Sequence, residues 1–251
     1  MVRIIAFANQ KGGVGKTTSV VNLGAYLAEE GKRVLLVDFD PQCNLSSSVG
    51  ADTAGETVYQ LIASHADAKN CIQRTIIKTM NIIPSSPDLA GAAIELAEQE
   101  DREYYLQNAL KPLHKDYDFI LIDCPPSLGI LTLNGLTAAW EVFIPLQTEY
   151  FALEGITQLI KNINIIQKSS NQNLKISGII FTMYDSRTRL AQDVVKEVVG
   201  YFGSLVFKTI IPRNVRLSEA PSHSVPIGNY APSSSGAKSY RDLAREVISR
   251  G

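Results

Sequence analysis

The chain has 251 residues, of which 45% are hydrophobic and 20% charged, with a formal net charge of −1. That balance is ordinary for a globular fold, and no apolar run approaches the roughly 18–20 residues needed to span a bilayer. The chain opens directly on a strand, leaving no room for a signal peptide, and Cys43, Cys71 and Cys124 are too widely spaced for a disulfide framework, which points to a reducing cytoplasm.

The apolar run Ile4–Ala8 predicts a strand, followed by Asn9-Gln10-Lys11-Gly12-Gly13-Val14-Gly15-Lys16-Thr17-Thr18 and a helix over residues 17–30 that Gly31 ends. Strand, glycine-rich turn and Gly-Lys-Thr opening a helix is the context of a phosphate-binding loop. Glycines let successive backbone N–H groups curl around an anion, and the helix N-terminus adds its dipole. In such a loop Lys16 reaches the β- and γ-phosphates and the Thr17 hydroxyl ligates Mg²⁺. The ordinary spacing asks for glycine where this chain has Gln10, and Lys11 is an added lysine before the paired glycines.

Val34–Val37 is a short continuous apolar run, the signature of a strand buried on both faces. It leads into Asp38-Phe39-Asp40, two carboxylates at a strand's carboxyl end, where ligands bind in open α/β sheets. Residues 44–55 read as a loop or fraying helix and 57–64 as a helix. Ile76-Ile77 and residues 81–84 read as short strands, and 87–113 as one long helix carrying Glu95, Glu98, Glu100, Asp101 and Glu103 on a solvated face. Phe119-Ile120-Leu121-Ile122-Asp123 is an apolar strand ending in a carboxylate that can hold a Mg²⁺ ligand water beside a phosphate loop.

Residues 128–139 predict a helix, 142–145 a strand, 150–168 a helix, 176–182 a strand, 189–201 a helix and 209–212 a last strand. Strands alternating with helices imply a single α/β domain over residues 1–251, with a mostly parallel twisted sheet flanked by helices on both faces. The final helix, 238–250, carries an apolar stripe at Tyr240, Leu243, Ala244, Val247 and Ile248. Lys238, Arg241 and Arg245 share a flank of its polar face. Residues 1–175 carry 14 Lys/Arg and 19 Asp/Glu, and residues 176–251 carry 10 and 6, so the net charge runs from −5 to +4. Such an asymmetry allows a basic patch near the C-terminal end, and a solvated surface is the simpler reading.

Lys-Gly-Gly-Val-Gly-Lys-Thr (residues 11–17), Asp38-Phe39-Asp40, Asp123-Cys124-Pro125-Pro126 and Pro212-Arg213-Asn214 with Ser218-Glu219-Ala220-Pro221 together resemble the ParA/MinD family of deviant Walker A P-loop ATPases, in its Soj-like branch. The resemblance runs from Ile4 to Ile248. It implies that Gly12, Gly13, Val14, Gly15, Lys16, Thr17 and Thr18 bind the phosphates of ATP, and that Asp40 positions the attacking water. Thr17, Asp38 and Asp123 would form or support the Mg²⁺ site, with residues 123–126 as a γ-phosphate-sensing segment stiffened by two prolines. Pro212 and Asn214 would lie near the adenine; Asn214 reads equally as a helix N-cap. Lys11 would reach across a face-to-face homodimer to the partner's nucleotide, by the logic of an arginine finger.

The same resemblance implies sequence-independent binding of double-stranded DNA through Arg187, Arg189, Arg213, Arg216, Lys238 and Arg241, in a nucleoid-associated cytoplasmic ATPase. A ParB-type partner would stimulate hydrolysis to segregate a chromosome or plasmid. Relatives that position chemoreceptor arrays or flagella are one alternative. A MinD-like membrane-associated regulator is another; it would need a detachable amphipathic helix beyond the core, so stable membrane association is not expected. A transcription regulator would need an N-terminal DNA-reading domain, which is not expected, and an iron–sulfur reductase would need a second cysteine near Cys124.

Overall fold

The computed structural model describes residues 1–64 and 66–251, with Ala93 described by its backbone alone. In chain order the strands are β1 (Arg3–Phe7), β2 (Val34–Asp38), β3 (Gln73–Arg74), β4 (Met80–Ile83), β5 (Phe119–Asp123), β6 (Glu141–Gln147) and β7 (Lys175–Thr182). The helices are α1 (Lys16–Glu29), α2 (Asn44–Ser48), α3 (Val58–Ala63), α4 (Leu89–Glu95), α5 (Tyr105–Leu110), α6 (Ile130–Ala138), α7 (Ala152–Ser169), α8 (Arg189–Phe202), α9 (Val215–Glu219), α10 (Ile227–Tyr230) and α11 (Ser235–Ser249).

The strands form one sheet in the order β3-β4-β2-β5-β1-β6-β7, parallel throughout except where β3 pairs antiparallel to β4. Continuous apolar strands are buried on both faces because successive side chains alternate. Ile4, Ala6, Leu35, Val37, Ile120 and Ile122 point into one core with residues of α3 to α8. Ile5, Phe7, Val34, Leu36, Phe119 and Leu121 point into the other, with α1, α2, α9, α10 and α11. One position shows how tightly the sheet packs: a Cβ on Gly178 would lie 2.0 Å from the Phe207 ring, so only glycine fits there. No helix among the described residues is long and apolar enough to cross a membrane.

Three expected elements differ. The 87–113 helix is broken into α4 and α5, with Asp101 in a left-handed conformation (φ 52°) between them. Its clustered carboxylates repel at helical spacing. The Asn134 side chain on α6 bonds the break from outside, donating to the Arg102 carbonyl at 2.7 Å and accepting from Leu106 N at 3.2 Å. Ile76-Ile77 is not a strand: Thr75 Oγ1 donates to the Met80 carbonyl at 2.7 Å, closing a turn that leaves Ile76 exposed, and pairing moves to Gln73–Arg74. Residues 209–212 form no strand: they meet the β7 side of the sheet through an Ile211 N–H donated to the Phe181 carbonyl at 2.9 Å and an isolated Tyr184–Pro212 bridge. Pro212 has no N–H to continue a ladder, and the Glu246 carboxylate takes the Lys208 and Thr209 N–H groups.

Candidate functional site

The carboxyl ends of β1, β2 and β5 converge on one spot. Phe7 on β1 and Asp38 on β2 are both in register with Asp123 on β5, so parallel pairing alone places the two carboxylates side by side next to the turn that follows β1. In that turn Gly13 (φ 71°) and Gly15 (φ 84°) adopt the left-handed backbone that glycine tolerates. Side chains on Gly12 or Gly13 would meet nothing within 4 Å, and both residues are exposed. Thr182 at the tip of β7 braces the turn, its hydroxyl donating to the Val14 carbonyl at 2.7 Å. Gly15 precedes α1, and Lys16, Thr17 and Thr18 form its first turn.

Lys16 is buried, with Nζ 3.4 Å from the Lys11 carbonyl. Burial lowers its pKa, and the nearby Asp123 charge opposes that drop. Thr17 Oγ1 donates to Asp123 Oδ2 at 2.6 Å. Asp123 Oδ1 is buried without a hydrogen-bond partner. Burial pushes the Asp123 carboxyl up to about 8, Asp38 raises it further, and the Thr17 bond opposes the rise. A hydroxyl and a half-satisfied carboxylate suit Mg²⁺, which binds few protein ligands and keeps waters and phosphate oxygens. Among the described residues, no group of three or more His, Cys, Asp or Glu could hold a metal by itself.

Asp38 is fully buried and raised to about 6 by desolvation, with bonds from Ser46 working against the rise. Both its oxygens are engaged: Oδ2 accepts from Ser46 N (2.8 Å) and Ser46 Oγ (2.6 Å), and Oδ1 accepts from Asp40 N (3.3 Å). It therefore braces the loop carrying Asp40 from behind. Asp40 lies at the site with Oδ1 accepting from Gln42 N at 3.0 Å.

A cleft of about 440 Å³ opens beside Gly15 and Thr18, walled by Met183, Pro212, Asn214 and Leu217. Asn214 caps α9, accepting from Arg216 N at 2.9 Å while donating to Ser235 Oγ at 2.7 Å. It is thus the N-cap of α9, and it also lines the cleft. A hollow of similar size, about 450 Å³, is lined by Asp67, Glu100 and Asp101. Its charge is wrong for phosphate, so volume alone does not mark the site.

Of the basic residues, Arg213 lines the cleft beside Asn214. Arg187 pairs with Asp185, Arg189 with Asp193 and Arg216 with Glu219, and Arg241 stacks over the Tyr26 ring at 5.1 Å. Arg245 pairs with Glu30. Arg213 and Lys238 are exposed and make no ion pair within 4 Å among the described residues. Sequence reasoning missed Asn9, which links the glycine turn to β6 by donating to the Pro145 carbonyl at 2.7 Å, and Ser46 and Thr182, whose roles depend on distant partners. It also missed Glu149, paired with Lys11.

Against known proteins, the AAA domain family matches residues 2–176. The chain is 58% identical over 250 residues to the chromosome-partitioning ATPase Soj of Treponema pallidum, covering 100% of this chain and 98% of the relative. It is 52% identical to the sporulation initiation inhibitor protein Soj of Bacillus subtilis, covering 100% of both. Among solved structures, cobyrinic acid a,c-diamide synthase of Mycobacterium smegmatis with bound ADP and magnesium superposes with a TM-score of 0.86 at 41% identity, over 99% of this chain and 94% of that one. Full-length similarity together with a glycine turn, a buried lysine and a strand-end carboxylate at one sheet edge places the conclusion at family level: this chain belongs to the Soj/ParA family of chromosome-partitioning ATPases.

Proposed function

We propose that this ATPase cycles between an ADP-bound or free monomer and an ATP-bound homodimer that binds double-stranded DNA without sequence preference. A ParB-type partner accelerates hydrolysis, and the cycle segregates a chromosome or plasmid in the cytoplasm, on the nucleoid. One observation carries the catalytic half of this reading: Asp123 shares one oxygen with Thr17 and leaves the other buried and unpaired, directly beside Lys16. A buried lone carboxylate oxygen is costly. A Mg²⁺–nucleotide complex supplies the missing cation and an anion for Lys16.

In this reading the backbone amides of residues 12–18 cradle the phosphates, and Lys16 neutralises the β- and γ-oxygens. Thr17 and Asp123 hold Mg²⁺, which when bound would offset charge on the transferred phosphoryl group. Asp38 fixes the Asp40 loop, and Asp40 orients the attacking water. Pro212 and Asn214 flank the base in the cleft, where the amide's contacts to Ser235 and Arg216 hold it in place. Lys11 completes the partner's site. Arg187, Arg189, Arg213, Arg216, Lys238 and Arg241 contact DNA phosphates, and dimerisation doubles their number on one face.

The test is DNA retardation at several salt concentrations with ADP, ATP and a non-hydrolysable analogue. Salt-sensitive retardation with ATP or the analogue but not ADP is expected. Equal retardation in all three states, or none, would sink the DNA reading, and ATP-dependent pelleting with liposomes would favour a membrane-associated regulator instead.

A further inference from the structure

The Lys11 ammonium, which the proposed function sends to a partner subunit's nucleotide, is held within its own chain by the Glu149 carboxylate. Its backbone is already fixed. Lys11 N donates to Asn9 Oδ1 at 3.0 Å, Asn9 Nδ2 donates to the Pro145 carbonyl at 2.7 Å, and the Lys11 carbonyl faces inward toward Lys16. Glu149 is fixed as well: its N–H donates to the Gln147 carbonyl at 2.9 Å, and its carbonyl accepts from Ala152 N at 3.0 Å where α7 begins. Two backbones locked to the same strand ends therefore present one freely exchangeable pair, with side chains 55% and 48% exposed.

The next two residues are aromatic and uncovered. Tyr150 is 77% exposed and Phe151 70%, their rings meeting edge-on with centroids 5.0 Å apart. An unburied aromatic pair beside an unburied ion pair, on the rim of the phosphate loop, suits a surface that a second copy of this chain covers.

We infer that Glu149 is a positioning residue that acts through Lys11: its carboxylate stands in for the partner's phosphate in the monomer and surrenders the ammonium when an ATP-loaded second copy docks over Tyr150 and Phe151. This rests on the dimer reading above. The chemistry is an exchange of one anion for another. Carboxylate and phosphate compete for the same ammonium, and the phosphate wins only when it carries the charge of a γ-group and arrives on a docked partner. An exposed ion pair holds its members by no more than about a factor of five. That is strong enough to keep Lys11 from other anions and weak enough to yield. Both protomers must make the exchange, so the effect on dimer affinity is the square of the effect on one pair.

The experiment is the dimer dissociation constant by analytical ultracentrifugation, for wild type, Glu149→Gln and Glu149→Asp, with Mg²⁺ and either ADP or a non-hydrolysable ATP analogue, at low and high salt. Thermal unfolding checks that each variant is folded. Glu149→Gln is expected to dimerise about three- to twentyfold more tightly with the analogue at low salt. The gain should shrink at high salt, where exposed charges are screened, be absent with ADP, and largely disappear in Glu149→Asp, which restores the charge. An unchanged or weaker Glu149→Gln dimer would overturn the inference while leaving the dimer reading intact, as would the same gain with ADP. Wild-type protein that stays monomeric with the analogue would instead overturn the dimer reading itself.

Discussion

Lys16 and Arg187 are both cations beside an aspartate, and the two pairs behave in opposite ways. At the phosphate loop, burial lowers the Lys16 pKa and pushes Asp123 up to about 8, so each group is drawn toward its neutral form. On the surface, Arg187 and Asp185 reinforce each other: hydrogen bonding from Arg187 holds Asp185 down to about 2 and raises the arginine in turn. The loop is electrostatically incomplete until an anion and a cation arrive together. On the basic surface, Arg187, Arg189 and Arg216 are already paired with carboxylates of their own chain. Changes at the loop should therefore have large effects, and changes on the surface small ones whose sign depends on which partner is removed.

The strongest way to break that contrast is Lys16→Ala. It removes a buried charge-assisted contact to phosphate, worth about 2–3 kcal/mol. That amounts to a loss of ATP affinity of roughly thirty- to two-hundredfold, measurable by calorimetry or fluorescent-nucleotide titration. Retained wild-type affinity would mean the loop assignment is wrong. Asp40→Ala comes next. Asp40 sits on a loop braced by Asp38, and its side chain accepts a backbone N–H from its own turn, so its loss should spare binding and lower hydrolysis by about a hundredfold in single-turnover assays. Normal hydrolysis in that variant would remove Asp40 from the water-positioning role.

A third measurement compares charges within the basic surface. Arg213→Glu changes a cation with no ion pair within 4 Å among the described residues, whereas Arg189→Glu changes one that already faces Asp193 at 3.8 Å. If in-chain pairing sets how much each cation contributes, DNA affinity at moderate salt should fall about tenfold for Arg213→Glu and about two- to threefold for Arg189→Glu. Equal losses would mean that geometry on the DNA, and not in-chain pairing, ranks these residues.

Much of the loop end was legible from sequence because its signals are local. A glycine turn between an apolar strand and a helix, and apolar runs ending in Asp38 and Asp123, report burial and position through composition alone. What escaped depends on distant residues. The break between α4 and α5 is fixed by Asn134, more than thirty residues from Arg102. The Asp38 carboxylate is saturated by Ser46, whose hydroxyl also accepts from Ser85 N at 2.9 Å. Arg241 stacks on Tyr26 and Arg245 pairs with Glu30 only because α11 packs on α1. A stretch of arginines reads as free positive charge until the fold shows which carboxylates stand opposite.

The finest test of the contrast is Asp185→Asn. Arg187 donates to Asp185 through Nε at 2.8 Å and Nη2 at 2.7 Å, and its side chain is 86% exposed. Because the folded pKa of Asp185 lies below its unfolded value, the pair's contribution is present above about pH 4 and is lost as pH falls toward the folded value near 2. It is therefore intact at neutral pH, and Arg187 can meet a DNA phosphate only by leaving Asp185 or by bringing that carboxylate with it. Asparagine keeps the oxygen that accepts the Arg187 N–H at 3.1 Å, so the turn leading to the Thr188 cap of α8 is preserved while the opposing charge is removed. DNA affinity at pH 7 should rise about two- to fivefold. The slope of log affinity against log salt should steepen by about one per protomer, the signature of a newly available phosphate contact. A tighter complex with an unchanged slope would indicate a shift in the surrounding field and no direct contact. An unchanged affinity would place Arg187 off the DNA-facing side and leave Arg213 and Lys238 as the stronger candidates.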